Sequence, residues 1–153
     1  MNEITKNLLI EFINKNENIV NFGTPEDAVD ESWILKAEKY LGFPLTNSYK
    51  WFLREYRGGE ICGEEIYSIY GLDFESVNGG DIVYHHIIDM KNNIIKNTQL
   101  VVSQTDFGDV YYFDYTKFDN GECPIYIMFS SAECKFYATN FYEFLYKRIK
   151  DYL

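Results

Sequence analysis

The chain has 153 residues, with 14 Lys and Arg against 24 Asp and Glu, which gives a formal net charge of −10 and a pI of about 4.6. A chain of this length buries roughly two-thirds of the surface that its unfolded form exposes, so a single domain over residues 1–153 needs no metal or disulfide to hold its core. Its 46% hydrophobic and 18% aromatic content excludes a disordered acidic tail, and its acidic excess argues against direct nucleic-acid binding, which needs a basic surface.

Ile4, Leu8, Leu9, Phe12 and Ile13 recur on one face of a helix, and residues 16–22 read as a loop. Thr24-Pro25-Glu26-Asp27 offers a capping hydroxyl, a first-turn proline and acids facing the dipole, so the spacing predicts a second helix from Pro25 to about Leu41, stopped by Gly42 and Pro44. Thr46 caps a third helix with Tyr49, Phe52, Leu53 and Tyr56 on one face, ended by Gly58-Gly59.

The period then changes. Ile61, Ile66, Ile69 and Leu72 fall in short strands broken by Gly63 and Gly71, and Asp81 to Met90 returns to helical spacing. Leu100 to Ser103, Val110 to Tyr115, Pro124 to Phe129 and Lys135 to Ala138 read as strands. The second of these is apolar or aromatic on both faces, as a central strand would be. Asn140 caps a last helix with Phe141, Phe144, Leu145, Ile149 and Tyr152 on one stripe. The fold class is α+β, a single domain with a mostly antiparallel central sheet flanked by N-terminal helices and a C-terminal helix.

Several of these residues fall into a known order. Glu38-x-x-Leu41-Gly42, Leu45, Tyr49-x-x-Phe52-Leu53 and Gly58-Gly59 resemble the opening motif of the SUKH superfamily, which takes in fungal Smi/Knr cell-wall regulators and many bacterial immunity proteins. Asn47 to Leu53 resembles the YobK-type immunity proteins of Gram-positive bacteria. Gly108-Asp109-Val110-Tyr111, Gly121-Glu122-Cys123-Pro124-Ile125 and Phe141-x-x-Phe144-Leu145 are similar to the family's later strands and last helix, so the resemblance runs from about Ala28 to Leu153. One step departs from the pattern: Thr46 stands after Leu45 where the family usually places proline, and a capping hydroxyl can serve there. The motif residues are turns and core. What the resemblance implies is therefore a binding module with no catalytic residues to carry over.

Enzymatic chemistry has little support in the residues. His85 and His86 are adjacent, about 100° apart on a helix, so they cannot share a ligand; His86 belongs to the apolar stripe and His85 to the surface. Cys62, Cys123 and Cys134 form no CxxC pair and are expected to be reduced, metal-free and buried. No cofactor is expected. With no run of about 18 apolar residues and with Glu11 interrupting the first apolar stretch, neither a membrane span nor a secretory signal is expected, and the cytoplasm is the expected location.

The resemblance and the charge together imply an immunity protein that neutralises a cognate toxin, a nuclease domain whose phosphate-binding cleft is basic. A monomer or homodimer would suffice. Glu60, Glu64, Glu65, Tyr67, Tyr70, Asp73 and Glu75 combine carboxylates with aromatic anchors and form the expected contact face, with Asp106 and Asp109 as the second candidate. These carboxylates are expected to be exposed and to contribute little to stability. The alternative is a regulatory interaction module resembling the Smi/Knr regulators, with no toxin partner.

Overall fold

Strands joined by short connections can pair only antiparallel, and here every neighbouring pair does. The computed structural model describes residues 3–153. Seven strands lie side by side in chain order: β1 (Val20–Phe22), β2 (Gly59–Ile61), β3 (Glu64–Ile66), β4 (Gln99–Gln104), β5 (Val110–Asp114), β6 (Ile125–Met128) and β7 (Cys134–Ala138). Helices α1 (Lys6–Lys15), α2 (Glu31–Leu41), α3 (Asn47–Tyr56), α4 (Ile82–Lys91) and α5 (Phe141–Lys150) complete the α+β fold. None of them is long and apolar enough to cross a membrane.

Packing follows from the aromatic stripes. Phe141, Phe144, Leu145 and Ile149 of α5 are fully buried, as are Tyr49, Phe52 and Leu53 of α3. Their rings meet those of β5: Tyr49 lies 5.5 Å from Phe113, and Tyr111 lies 5.3 Å from Phe144. Val110 to Phe113 are all buried because β5 has a strand on each side and side chains packed on both faces.

The buried starts of two helices meet at Glu122. The first N–H groups of a helix have no intrahelical acceptor, and α3 satisfies each of its own: Asn47 donates to the Gly121 carbonyl at 2.9 Å, Ser48 to the Glu122 carboxylate at 2.8 Å, and Tyr49 to the Thr46 hydroxyl at 3.2 Å. The Ser48 hydroxyl donates to Glu122 at 2.6 Å and accepts the Phe141 N–H of α5 at 3.1 Å. A hydrogen bond to a charged acceptor is worth about 1.5–3 kcal/mol. Glu122 thus joins α3, α5 and the β5–β6 loop.

Several expectations are corrected. Val20–Phe22 is a strand rather than loop, because it pairs with β2 across a long sequence separation that no local pattern reveals. The second helix does not begin at Pro25. Pro25–Asp27 makes one 3-10 turn, Thr24 makes no side-chain cap bond, Ala28 is extended, and α2 starts at Glu31 with Asp30 accepting from Ser32. Tertiary pairing overrides the local signal: the Val29 N–H is taken by the Leu53 carbonyl. Leu8 and Leu72 are exposed, Tyr152 lies beyond α5, and neither Ile69 nor Leu72 joins a strand. Cys62 and Cys134 are exposed, at a hairpin turn and on the outermost strand β7, and only Cys123 is buried.

His86 is buried beside Phe43, at 6.2 Å between rings, and neither ring nitrogen has a hydrogen-bond partner among the described residues. Burial lowers its pKa below 6.5; Asn97 and the Gln99 main chain, close but outside bonding geometry, offset this only in part. Stability linked to neutral His86 is therefore fully present above about pH 6.5 and is lost as the pH falls through the lower folded value. Burial raises the pKa of Asp81, Asp89 and Glu122, whose linked stability has the opposite sign: it is present at low pH and is lost as the pH rises through their folded values. Urea unfolding of wild type and His86→Gln between about pH 7.5 and 5.5 separates the two. The difference between the proteins is expected to move in disfavour of wild type as the pH falls, by at most about 1.4 kcal/mol per pH unit for one proton. A difference independent of pH would mean that His86 is protonated as freely in the folded chain as in the unfolded one.

Candidate functional site

The β2–β3 hairpin turns through Cys62 and Gly63, with φ of 48° and 83°. Two positive φ values in a two-residue loop match the twist of the flanking strands and set the register that places Glu64 and Glu65 in adjacent positions. Glu64 turns inward, against expectation. It makes an ion pair with Arg148 of α5, and the two side chains are only 13% and 6% exposed. The same guanidinium donates to Asp151 at 3.0 Å and stacks 4.7 Å from the Tyr111 ring. Glu65 accepts the Tyr70 hydroxyl at 2.5 Å, and that oxygen accepts the Gly80 N–H at 2.8 Å. Burial, then the bond to Glu65, pushes the Tyr70 phenol up to about 12.

Four clefts stand in a row and share walls. The first, about 340 Å³, is lined by Glu64, Glu65, Tyr67, His85, Thr105 and Asp106. Tyr67 is buried, not exposed as expected, with its ring stacked on His85 at 4.0 Å and 11°. Glu65 also borders the second cleft, about 370 Å³, together with Asp27, Tyr56, Arg57, Ser68 and Tyr70. Asp27, Arg57 and Tyr70 reappear in the third, about 180 Å³, where Asp30 and Trp33 join them. Trp33 leads into the largest, about 650 Å³, completed by Lys36, Lys39, Tyr40, Asp73 and Phe74. Here Trp33 and Tyr40 meet Phe74 edge to face at 5.5 and 5.7 Å, and the Lys36 ammonium lies 4.3 Å over Trp33. The row forms a groove, acidic at one end and aromatic at the other.

Arg57 stands at the middle under strain. Its φ of 64° and ψ of −52°, with the Gly58 N–H donating to the Tyr56 carbonyl at 2.7 Å, define a γ-turn that non-glycine residues avoid. A conformation of this kind costs about 1–3 kcal/mol. Position 57 is where a glycine ordinarily ends a helix, but in this chain the glycine comes one residue later. Arg57 has no ion-pair partner within 4.0 Å among the described residues.

Of the residues expected at the site, Glu64, Glu65, Tyr67 and Asp106 converge on the acidic cleft, Tyr70 forms the shared wall and Asp73 reaches the aromatic recess. Glu75 accepts from the Tyr40 hydroxyl at 3.3 Å beside that recess. Two stand apart. Glu60 lies opposite Asn21 and Glu65 in the sheet, and Asp109 accepts the Ser130 N–H at 3.0 Å. Sequence reasoning missed Asp27, Trp33, Arg57 and Phe74, and it placed His85 on the open surface. Their only sequence signal is the positively charged residue just before a Gly-Gly pair. No three His, Cys, Asp or Glu side chains among the described residues converge as they would around a metal ion.

The Arg148 pair makes Glu64 unlike an exposed carboxylate. Glu64→Gln leaves the buried guanidinium with the half-exposed Asp151 as its one remaining counter-charge among the described residues, and is expected to lower the unfolding free energy by about 2 kcal/mol. The double variant Glu64→Gln with Arg148→Met removes the stranded charge and is expected to recover much of that loss in the same urea titration. A single-variant loss below about 0.5 kcal/mol, the level of an exposed pair, would contradict the burial argument.

The family model described as SMI1-KNR4 cell-wall matches residues 31–145, from the first residue of α2 into α5. The match takes in α3, the β2–β3 hairpin, four of the five helices and six of the seven strands, together with most of the groove. The chain therefore belongs to the SMI1-KNR4 family of the SUKH superfamily.

Proposed function

We propose that the protein is a non-enzymatic bacterial immunity protein of the cytoplasm, which binds a cognate toxin and blocks its active cleft. The observation that carries the reading is the cleft where Glu65 and Asp106 converge beside the Arg148-paired Glu64, in a chain of net charge −10. A nuclease must hold phosphates on a basic surface. A cleft lined by carboxylates complements that surface, steers the encounter and competes with the nucleic acid for the same site. Family membership supports the reading, as does the run Asn47 to Leu53, which resembles YobK-type immunity proteins. The aromatic recess supplies the apolar contact that retains a partner after electrostatic capture.

The test pairs the protein with the partner that co-purifies with it from its native host, scoring growth and nucleic-acid cleavage. Wild type is expected to restore growth. Association measured by stopped flow is expected to slow steeply with salt, because the Debye length shrinks from about 10 Å at 0.1 M to about 3 Å at 1 M. The variant Glu65→Gln with Asp106→Asn leaves the Arg148 pair intact and is expected to fold normally while associating about tenfold more slowly. A wild-type protein that binds cell-wall synthesis factors and protects against no toxin would overturn the reading in favour of the Smi/Knr-like regulator.

A further inference from the structure

We infer that the groove is a seat for an extended segment of the partner, gripped by its main chain at Asp27 and Arg57, with an apolar side chain in the Trp33–Tyr40–Phe74 recess and a basic side chain between Glu65 and Asp106. The inference rests on the proposed reading for the partner's biological identity and on geometry for the chemistry.

Three observations converge. First, the clefts form a row with shared walls rather than one bowl, the shape that suits a chain laid lengthwise. Second, the two middle clefts share one strong donor, Arg57, and one strong acceptor, Asp27. An extended main chain presents a carbonyl and an N–H at each residue, and both must be paired when it is covered. Arg57 and Asp27, both exposed residues of the same cleft walls, can answer both needs without reading sequence. Third, the ends differ in chemistry. The recess carries three aromatic rings, with Tyr40 49% exposed, and the opposite cleft carries carboxylates, so side-chain choice is made at the ends.

The γ-turn explains why the grip is at Arg57. Glycine would adopt this backbone freely, so arginine at position 57 costs stability, and strain retained at a cleft wall marks a contact. Packing fixes where the turn sits: a Cβ on Gly58 would press into the Ser68 side chain, and one on Gly59 into the β1 backbone. The Gly23 N–H also donates to the Gly58 carbonyl at 3.0 Å. The Cα from which the exposed Arg57 side chain projects is thereby fixed at the groove wall before any partner arrives.

The probe is a phage-displayed library of random 12-residue peptides, panned against the immobilised full chain. Enriched peptides are expected to share an aromatic or large aliphatic residue and, further along, Arg or Lys. A synthetic enriched peptide is expected to bind Trp33→Ala and Arg57→Gly at least tenfold more weakly than wild type. Arg57→Gly is also expected to raise the melting temperature, whereas a merely structural arginine would lower it on removal. Failure to enrich such peptides, unchanged peptide affinity in Arg57→Gly, or a lowered melting temperature would each overturn the inference. Peptide binding without toxin protection would sink the immunity reading alone, and protection without peptide binding would sink this inference alone.

Discussion

The fold depends on one carboxylate that satisfies two helix starts. Glu122 accepts from both the main-chain N–H and the hydroxyl of Ser48, and Ser48 in turn accepts from Phe141, so the first N–H groups of α3 and the first of α5 are paired where the two helix starts meet. Burial raises the Glu122 pKa by more than the Ser48 bonds lower it. Because α3 and α5 are fixed there, the rings of Tyr49, Phe52, Phe141 and Phe144 reach the face of β5, and the core closes on them.

The functional geometry follows from the far end of α3. A helix anchored at Ser48 must end at a set place, and that place is against β1 and β2, where only glycine fits at positions 58 and 59. The chain meets this constraint by pushing the positive-φ residue back to Arg57. Stability is sacrificed locally, and an exposed arginine projects from the groove wall, the pattern of a site where binding and stability compete. Nearby, the Arg148–Glu64 pair ties α5 to the β2–β3 hairpin, so the hairpin that bears Glu65 is rigid. Rigid walls limit the ordering cost of holding a partner.

How much of this was legible in the sequence depended on the range of the interaction. Helix α3 was placed by Thr46 and α5 by Asn140, and the four later strands were placed within a residue or two, because caps, turns and hydrophobic period are local signals. Val20–Phe22 carries no strand signal of its own, because a three-residue strand at a sheet edge acquires its identity from β2, some forty residues later. The Pro25 start failed for the same reason: the Leu53 carbonyl competes for the Val29 N–H. At the site, the acidic residues around Glu65 were visible as composition, but composition does not say which carboxylate faces inward. Glu64 found a buried arginine 84 positions away. Trp33 on α2 and Arg57 in the turn after α3 come together only in the fold.

The central claim is that the partner covers the groove between Trp33 and Glu65. Hydroxyl-radical footprinting of the protein alone and with its co-purified partner tests it most directly, because oxidation reports on individual side chains in the intact complex. Shielding of Trp33, Tyr40 and Tyr70, with Tyr126 and Phe136 on strands β6 and β7 left as reactive as in the free chain, is the result the account predicts. Shielding of Tyr126 and Phe136 with the three groove residues unchanged would place the partner on the opposite end of the sheet and contradict it.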